Sequence, residues 1–277
     1  MEWVRRINWW KLLILALLGL GALVMIIPYY WMVISSIKPP EELHHYPPQF
    51  LVHHPTLKPY IDLFTLLPMA RSLLNSVFVA SMVTISNMLF CSLAGYAFAK
   101  LRFPARDGIF LTLLFSLMIP WQVNLIPGFL IIKQLGWLDS YWALIIPKLA
   151  LPFGIFLCRQ YIMSIPDAFI EAARIDGCTE LGIYRRVILP LITPALATLA
   201  IFTFLAQWND FVWPLIVIQS GDMRTVPLII QVLNGQFGSN FAMIMAGALV
   251  VTLPMLIIFL LFQRQFIKGV FLTTVRD

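Results

Sequence analysis

The sequence predicts an all-α, polytopic membrane protein with six transmembrane helices. Composition is the first ground: hydrophobic residues make up 60% of the 277 positions and charged residues 12%, against roughly 25% charged in a soluble domain. Mean hydropathy is +0.87. The second ground is patterning, because long intervals carry no Asp, Glu, Lys or Arg, and about 20 apolar residues suffice for a helix to cross a hydrocarbon core. A separate large soluble domain is excluded, since the spans use most of the chain.

The first charge-free interval, between Lys11 and Lys38, gives a span over about residues 12–36. It follows Arg5, Arg6 and Lys11 as a signal peptide would, yet runs on through Pro28-Tyr29-Tyr30-Trp31 with no small-residue cleavage site. It is therefore read as an uncleaved span. The intervals between Arg71 and Lys100 and between Asp107 and Lys133 give spans over about 73–99 and 108–132. Three further apolar stretches place spans at about 141–163, 188–218 and 241–263. Pro120, Pro127, Pro190, Pro194 and Pro214 interrupt the third and fifth of these. Such prolines free backbone groups, and the helix there either bends or carries a static kink. Val226–Leu233 is apolar but too short to span, which suits a surface or re-entrant helix.

Six spans put both termini on one side. That side then holds Arg5, Arg6, Lys11, Lys100, Arg102, Arg106, Arg159, Arg174, Arg185, Arg186, Arg264, Lys268 and Arg276, which is 13 of the 19 positive residues. The net charge of +6 thus reports orientation, not nucleic-acid binding, and the positive-inside rule places the termini in the cytoplasm. Cys91, Cys158 and Cys178 fall in two spans and one cytoplasmic loop and read as small buried hydrophobes without a disulfide framework. His44-His45 and His53-His54 are adjacent pairs in a proline-rich outer loop, an arrangement that does not point to a metal.

The loop over residues 164–186 is too ordered in sequence to be slack. Pro166 and Asp167 supply a helix start, Gly177 a C-terminal cap, and Thr179-Glu180 the opening of a second short helix. Phe169, Ala172, Ala173 and Asp176 recur at helical spacing, and the two alanines would let another surface approach closely, with Glu171 and Arg174 at the flanks. Two readings fit: a docking element for a partner, or a surface helix lying on the chain's own bundle.

Glu171-Ala172-Ala173, then Gly177, Val187 and Leu189-Pro190, resemble the E-A-A loop of binding-protein-dependent ABC importer permeases. Val187 stands where isoleucine is usual. Ile165-Pro166, Ile175-Asp176-Gly177, Leu189-Pro190-Leu191, Trp208-Asn209-Asp210 and Trp213-Pro214-Leu215 are similar to the carbohydrate, maltose-type branch. Leu138-Asp139-Ser140-Tyr141 and Phe156-Leu157-Cys158-Arg159-Gln160 extend the resemblance over nearly the whole chain.

The resemblance implies a single permease domain over residues 1–277 with the type I importer fold, in a bacterial or archaeal inner membrane. It also implies Glu171, Ala172, Ala173, Arg174, Asp176 and Gly177 as the ATPase-coupling element. Expected partners are a second homologous permease, an ABC ATPase dimer, a solute-binding protein, the bilayer and a sugar. The chain contains no phosphate-binding G-x-x-x-x-G-K-[ST] motif, so it is expected not to be an enzyme, and ATP and magnesium belong to the ATPase.

Inside the membrane, Lys148 lies about 10 Å from the outer end of the fourth span on a 1.5 Å rise, and Asp210 at a similar depth in the fifth. Either they pair, or Lys148 snorkels outward while Asp210 caps a broken helix. Trp121, Gln122, Asn124, Lys148, Trp208, Asn209 and Asp210, with Trp213, are the candidate pathway lining, because sugars need hydrogen-bonding groups and flat apolar faces. Each tryptophan has packing as its alternative role. A secondary transporter using Lys148 and Asp210 as an ion relay, and a permease for a glycerol-phosphate-like solute, are the competing functions.

Overall fold

The computed structural model describes residues 9–43 and 45–271, with side chains as far as Leu260. Arg5, Arg6, His44 and Arg276 lie outside the described residues, as do the side chains of Arg264 and Lys268. The chain forms two compact units, one of residues up to Leu67 with Ile230–Thr252 and one of Pro68–Ile229 with residues from Leu253.

In the first unit, α1 (Trp9–Ser36) is apolar throughout and exposed along most of its length, burying Ile34, Ser35 and Ser36 at its end. The short α2 (Pro40–Leu43) and α3 (Lys58–Leu66) follow. Polar contacts fasten the segment around them. Buried Lys38 donates to the Gln49 carbonyl and sits 5.4 Å over the Trp31 ring, and Glu42 accepts from the main-chain N–H groups of His53 and His54 at 3.1 and 2.8 Å.

The second unit is organised on α4 (Met69–Lys100), a 32-residue helix without proline. Beyond a turn at Ala105, where φ is +59°, come α5 (Arg106–Ser116), a 3-10 turn Trp121–Asn124 and α6 (Leu125–Gln134). Next are α7 (Tyr141–Ile145), a 3-10 turn Ile146–Lys148 and α8 (Pro152–Met163). The loop over residues 164–186 holds α9 (Asp167–Ile175) and α10 (Glu180–Ile183), then a π-helical turn Tyr184–Ile188 begins. α11 (Leu189–Leu191), α12 (Thr193–Trp208) and α13 (Val212–Val217) complete the fifth span; α14 (Val226–Gln236) and α15 (Phe241–Phe271) follow in the chain and are divided between the units, residues 230–252 counting with the first. Among the described residues there is no strand.

Among the described residues, length and composition give four segments able to cross a membrane without a sharp bend, and six spans when each of two bent helix pairs counts as one. The third span breaks by 94° between α5 and the Trp121 turn, where residues 117–119 tighten into i→i−3 bonds ahead of Pro120. The fifth bends by 77° at Ile192. Pro194 has no N–H for the Pro190 carbonyl, and the Thr193 hydroxyl donates to that oxygen instead at 2.8 Å. The bends thus fall where prolines interrupt the apolar runs.

Two apolar clusters fill the second unit. The loop-side cluster gathers Cys91 and Tyr96 of α4, Ile155, Cys158 and Ile162 of α8, Ile170 and Ala173 of α9, and Leu196 and Leu199 of α12. The far-side cluster gathers Val79 and Val83 of α4, Ala143–Ile145 of α7, and Trp213 and Val217 of α13. α4 and α8 cross closely because glycine and cysteine face one another. A Cβ on Gly95 would lie 2.6 Å from Cys158 Cβ, and one on Gly154 2.7 Å from Cys91 Sγ. Buried Cys91 and Cys158 therefore act as small packing residues, and Cys178 is half-buried in the loop turn.

Candidate functional site

The loop between the fourth and fifth spans begins as α9, with Asp167 in the first turn and Arg174 in the last, each complementing the helix dipole. Its end is closed by a Schellman arrangement. Gly177, at φ +78°, lets its own N–H reach the Arg174 carbonyl and the Cys178 N–H reach the Ala173 carbonyl, both at 3.0 Å. Thr179 Oγ1 then accepts from Gly182 N at 3.2 Å and starts α10.

The loop is tied to the end of α4. Lys100 Nζ donates to the Ile165 carbonyl at 2.6 Å and to Asp167 at 2.5 Å, and Tyr96 Oη donates to Glu180 at 2.6 Å. Arg174 closes on the other Glu180 oxygen at 2.8 Å. The Lys100 hydrogen bond and charge hold the Asp167 carboxyl below the usual aspartate range.

Ile170 and Ala173 point into the loop-side cluster, whereas Phe169, Glu171, Ala172, Ile175 and Leu181 are exposed. The shared face expected for both alanines is corrected accordingly: Ala173 is 8% exposed and packs on the bundle, because i and i+1 residues stand about 100° apart on a helix. The loop therefore both lies on its own bundle and leaves a second face open. A cavity of about 770 Å³ adjoins it, rimmed by Lys100, Arg102, Arg106 and Arg174 against Asp167 and Glu171. Glu171 makes no hydrogen bond or ion pair among the described residues.

Among the membrane residues, the structure brings Lys148 and Asp210 together as an ion pair, with Gln207 Oε1 accepting a second bond from Lys148 at 3.0 Å. Trp121, Gln122 and Asn124 are exposed at the break before α6. Asn209 is exposed too, and its side chain caps the Leu205 carbonyl at 2.8 Å. The expected lining role of two tryptophans is overturned by burial. Trp208 is 1% exposed and stacked on Phe204, and Trp213 donates to the Ala143 carbonyl at 2.8 Å with Gly128 against its ring.

Three further residues organise this region without having stood out in the sequence. Asn87, fully buried, bonds Lys148 O and Leu151 N across the break before α8. Asp139, at φ +56°, accepts from Gln219 N, Ser220 N and Ser220 Oγ, each at 3.0 Å. Gln207 completes the Lys148 contacts. For Asn87 the signal was present: it is one of two carboxamides, with Asn75, in a charge-free interval, and lies one turn before Cys91.

Comparison with known families matches residues 91–271 to "Binding-protein-dependent transport system inner membrane component". The chain belongs to this family. It is a multi-pass inner-membrane permease with the fold of ABC importer permeases. The arabinooligosaccharides transport system permease protein AraQ of Halalkalibacterium halodurans is 36% identical over 255 residues, covering 90% of each chain. The lactose transport system permease protein LacG of Rhizobium radiobacter is 31% identical over 254 residues, 92% of each. A chain of a bacterial ABC transporter involved in the import of the acidic polysaccharide alginate matches the permease fold. Its TM-score is 0.80 at 24% identity, with 95% of this chain and 99% of that one covered.

Proposed function

We propose that this permease is one half of the translocation pathway of an ATP-driven sugar importer. A second homologous permease supplies the other half, an extracytoplasmic binding protein delivers the sugar, and a pair of ABC ATPase chains binds ATP and magnesium. The observation that carries the reading is the capped loop Asp167–Ile183. It is fixed to α4 through Lys100 and Tyr96, yet presents Phe169, Glu171, Ala172 and Ile175 outward. A helix that ordered, with apolar side chains in the aqueous phase, suits a protein partner that covers them. The 36% and 31% identities to arabinooligosaccharide and lactose permeases support a sugar as the solute.

In this mechanism ATP binding closes the ATPase pair and displaces the loop, and the two spans that flank it transmit the shift. Inward and outward states exchange, and their different affinities for ATP and for the loaded binding protein supply the coupling. Glu171 and Ala172 meet the ATPase, Arg174, Asp176 and Gly177 hold the loop's shape, and Ala173 seats it on the bundle. Trp121, Gln122, Asn124 and Asn209, exposed at the breaks, are the pathway-facing candidates, and both termini are cytoplasmic.

The test is the complex purified from its native membrane, with uptake and ATP hydrolysis measured in proteoliposomes. Glu171→Arg is expected to abolish uptake and the hydrolysis stimulated by the loaded binding protein, while the chain still inserts. Unimpaired uptake by that variant would refute the coupling role. Uptake driven by an ion gradient without any ATPase would refute the importer reading.

A further inference from the structure

Within the second unit, polar side chains separate the two apolar clusters at matching places on three spans. On α4, Asn87 stands between Val83 of the far-side cluster and Cys91 of the loop-side cluster. On the fourth span Lys148 stands between Ile145 and Ile155, and on the fifth Gln207 and Asp210 stand between Leu199 and Trp213. These residues are bonded in series. Asn87 Nδ2 donates to the Lys148 carbonyl at 2.7 Å, and Lys148 Nζ donates to Gln207 at 3.0 Å and to Asp210.

Two of the three spans are interrupted at this level. The fourth runs from a 3-10 turn ending at Lys148 to α8 starting at Pro152, and the fifth from α12 ending at Trp208 to α13 starting at Val212. Across the first interruption Leu151 N–H has no helical carbonyl and goes to Asn87 Oδ1 at 2.8 Å. Asn87 thus satisfies groups on both sides of the gap and sets where Lys148 stands. The side chains of Lys148 and Asp210 are 18% and 17% exposed and are neutralised by each other, so neither offers a free charge to a solute.

We propose that Asn87, Lys148, Gln207 and Asp210 form one polar joint that makes the loop-side and far-side halves of this permease move together, with Asn87 as the positioning residue that keeps Lys148 in register with Asp210. The proposal rests on the importer reading above. Apolar surfaces slide past one another in a bilayer at little cost, whereas parting Lys148 from Asp210 leaves two unpaired charges in a poorly solvated place. The joint therefore ties the fourth and fifth spans to α4 at the level of their own interruptions, so that the segments on either side of each gap follow one another. Freed of it, the ATPase would turn over with the pathway lagging behind.

The readout is sugar uptake per ATP hydrolysed by the intact complex in proteoliposomes, together with the KM for the loaded binding protein. Lys148→Met, Asp210→Asn and Asn87→Ala are each expected to lower uptake per ATP by about tenfold, the size of an ordinary coupling between sites, with KM changed less than about twofold. The exchanged pair Lys148→Asp/Asp210→Lys is expected to restore most of the ratio. Should the single-charge variants fail to assemble, Gln207→Leu, which leaves both charges in place, is expected to lower the ratio by about threefold.

An unchanged ratio in Lys148→Met or Gln207→Leu would overturn the joint, as would an assembled exchanged pair that stays uncoupled. A raised KM with an unchanged ratio would place the pair against the solute instead and overturn it equally. Failure of the unaltered complex to couple uptake to ATP would sink the importer reading, a result separable from any of these.

Discussion

Gly95→Ala adds one methyl group to α4 at its crossing with α8. That carbon would sit 2.6 Å from Cys158 Cβ, 2.9 Å from Arg159 N and 3.1 Å from Cys158 C. Carbon atoms rest at about 3.5–4.0 Å, so the two helices must part by about 1 Å. No rotamer change relieves the overlap, because the obstructing atoms are backbone and Cβ. A gap of that width forfeits a quarter to a half of each dispersion contact along the seam, which places the cost at the upper end of overpacking, about 2–3 kcal/mol. For a chain of this size that is a fall of roughly 4–10 °C in thermal midpoint.

The assay is the fraction of intact, monodisperse protein after graded heating in mild detergent. The control is Gly21→Ala on α1, where nothing lies within 4 Å of the added carbon. There the substitution should leave stability unchanged or raise it by up to about 1 kcal/mol, since alanine is the better helix former. A Gly95→Ala midpoint equal to that of the unaltered protein would refute the close-crossing argument. So would equal losses at both glycines.

Three other outcomes follow. Asp167→Asn removes the acceptor for Lys100 and should speed amide hydrogen exchange in α9 at neutral pH. Because the Asp167 pKa is depressed, the ion pair contributes fully above the ordinary aspartate value, about 4, and is lost as pH falls through the lower folded value, where the two proteins should exchange alike. Asp139→Ala removes an acceptor shared by three donors and puts alanine at φ +56°, so it should cost about 2–3 kcal/mol in heat stability, with Asp139→Asn losing less. Trp213→Phe keeps an aromatic side chain but removes part of a buried ring and leaves the Ala143 carbonyl without its donor, costing about 2–3 kcal/mol by the same heating assay.

The spans were legible because solvation by lipid writes directly into composition, and a charge-free run such as residues 72–99 admits few other readings. The bends were legible only as interruptions. Proline marks where the hydrogen-bond ladder fails, but the 94° and 77° angles depend on what packs beside each break. Burial of Trp208 was hidden for a related reason: an indole suits a pathway wall and a packed interior equally, and only the packing of other parts of the chain over that helix face decides. The loop over residues 164–186 was the most readable element, since caps are local chemistry. Even there, residue spacing could not tell which of Ala172 and Ala173 turns inward, because that depends on the cluster beneath them.

At 1.5 Å per residue, the 32 residues of α4 extend for about 48 Å, more than a bilayer with its headgroups, about 40–45 Å. It is anchored near both ends. Asn75 donates to the Asp222 and Arg224 carbonyls at 2.8 and 2.9 Å and accepts from Tyr141 Oη at 2.7 Å, while Lys100 grips the start of α9. While the third and fifth spans are bent, this one is a continuous strut. A straight α-helix neither shortens nor stretches appreciably along its axis, so an axial push at Lys100 arrives at Asn75 undiminished. A sideways push is opposed along the seam with α8, where Gly95 meets Cys158 and Cys91 meets Gly154, so the strut carries lengthwise motion and resists tilting.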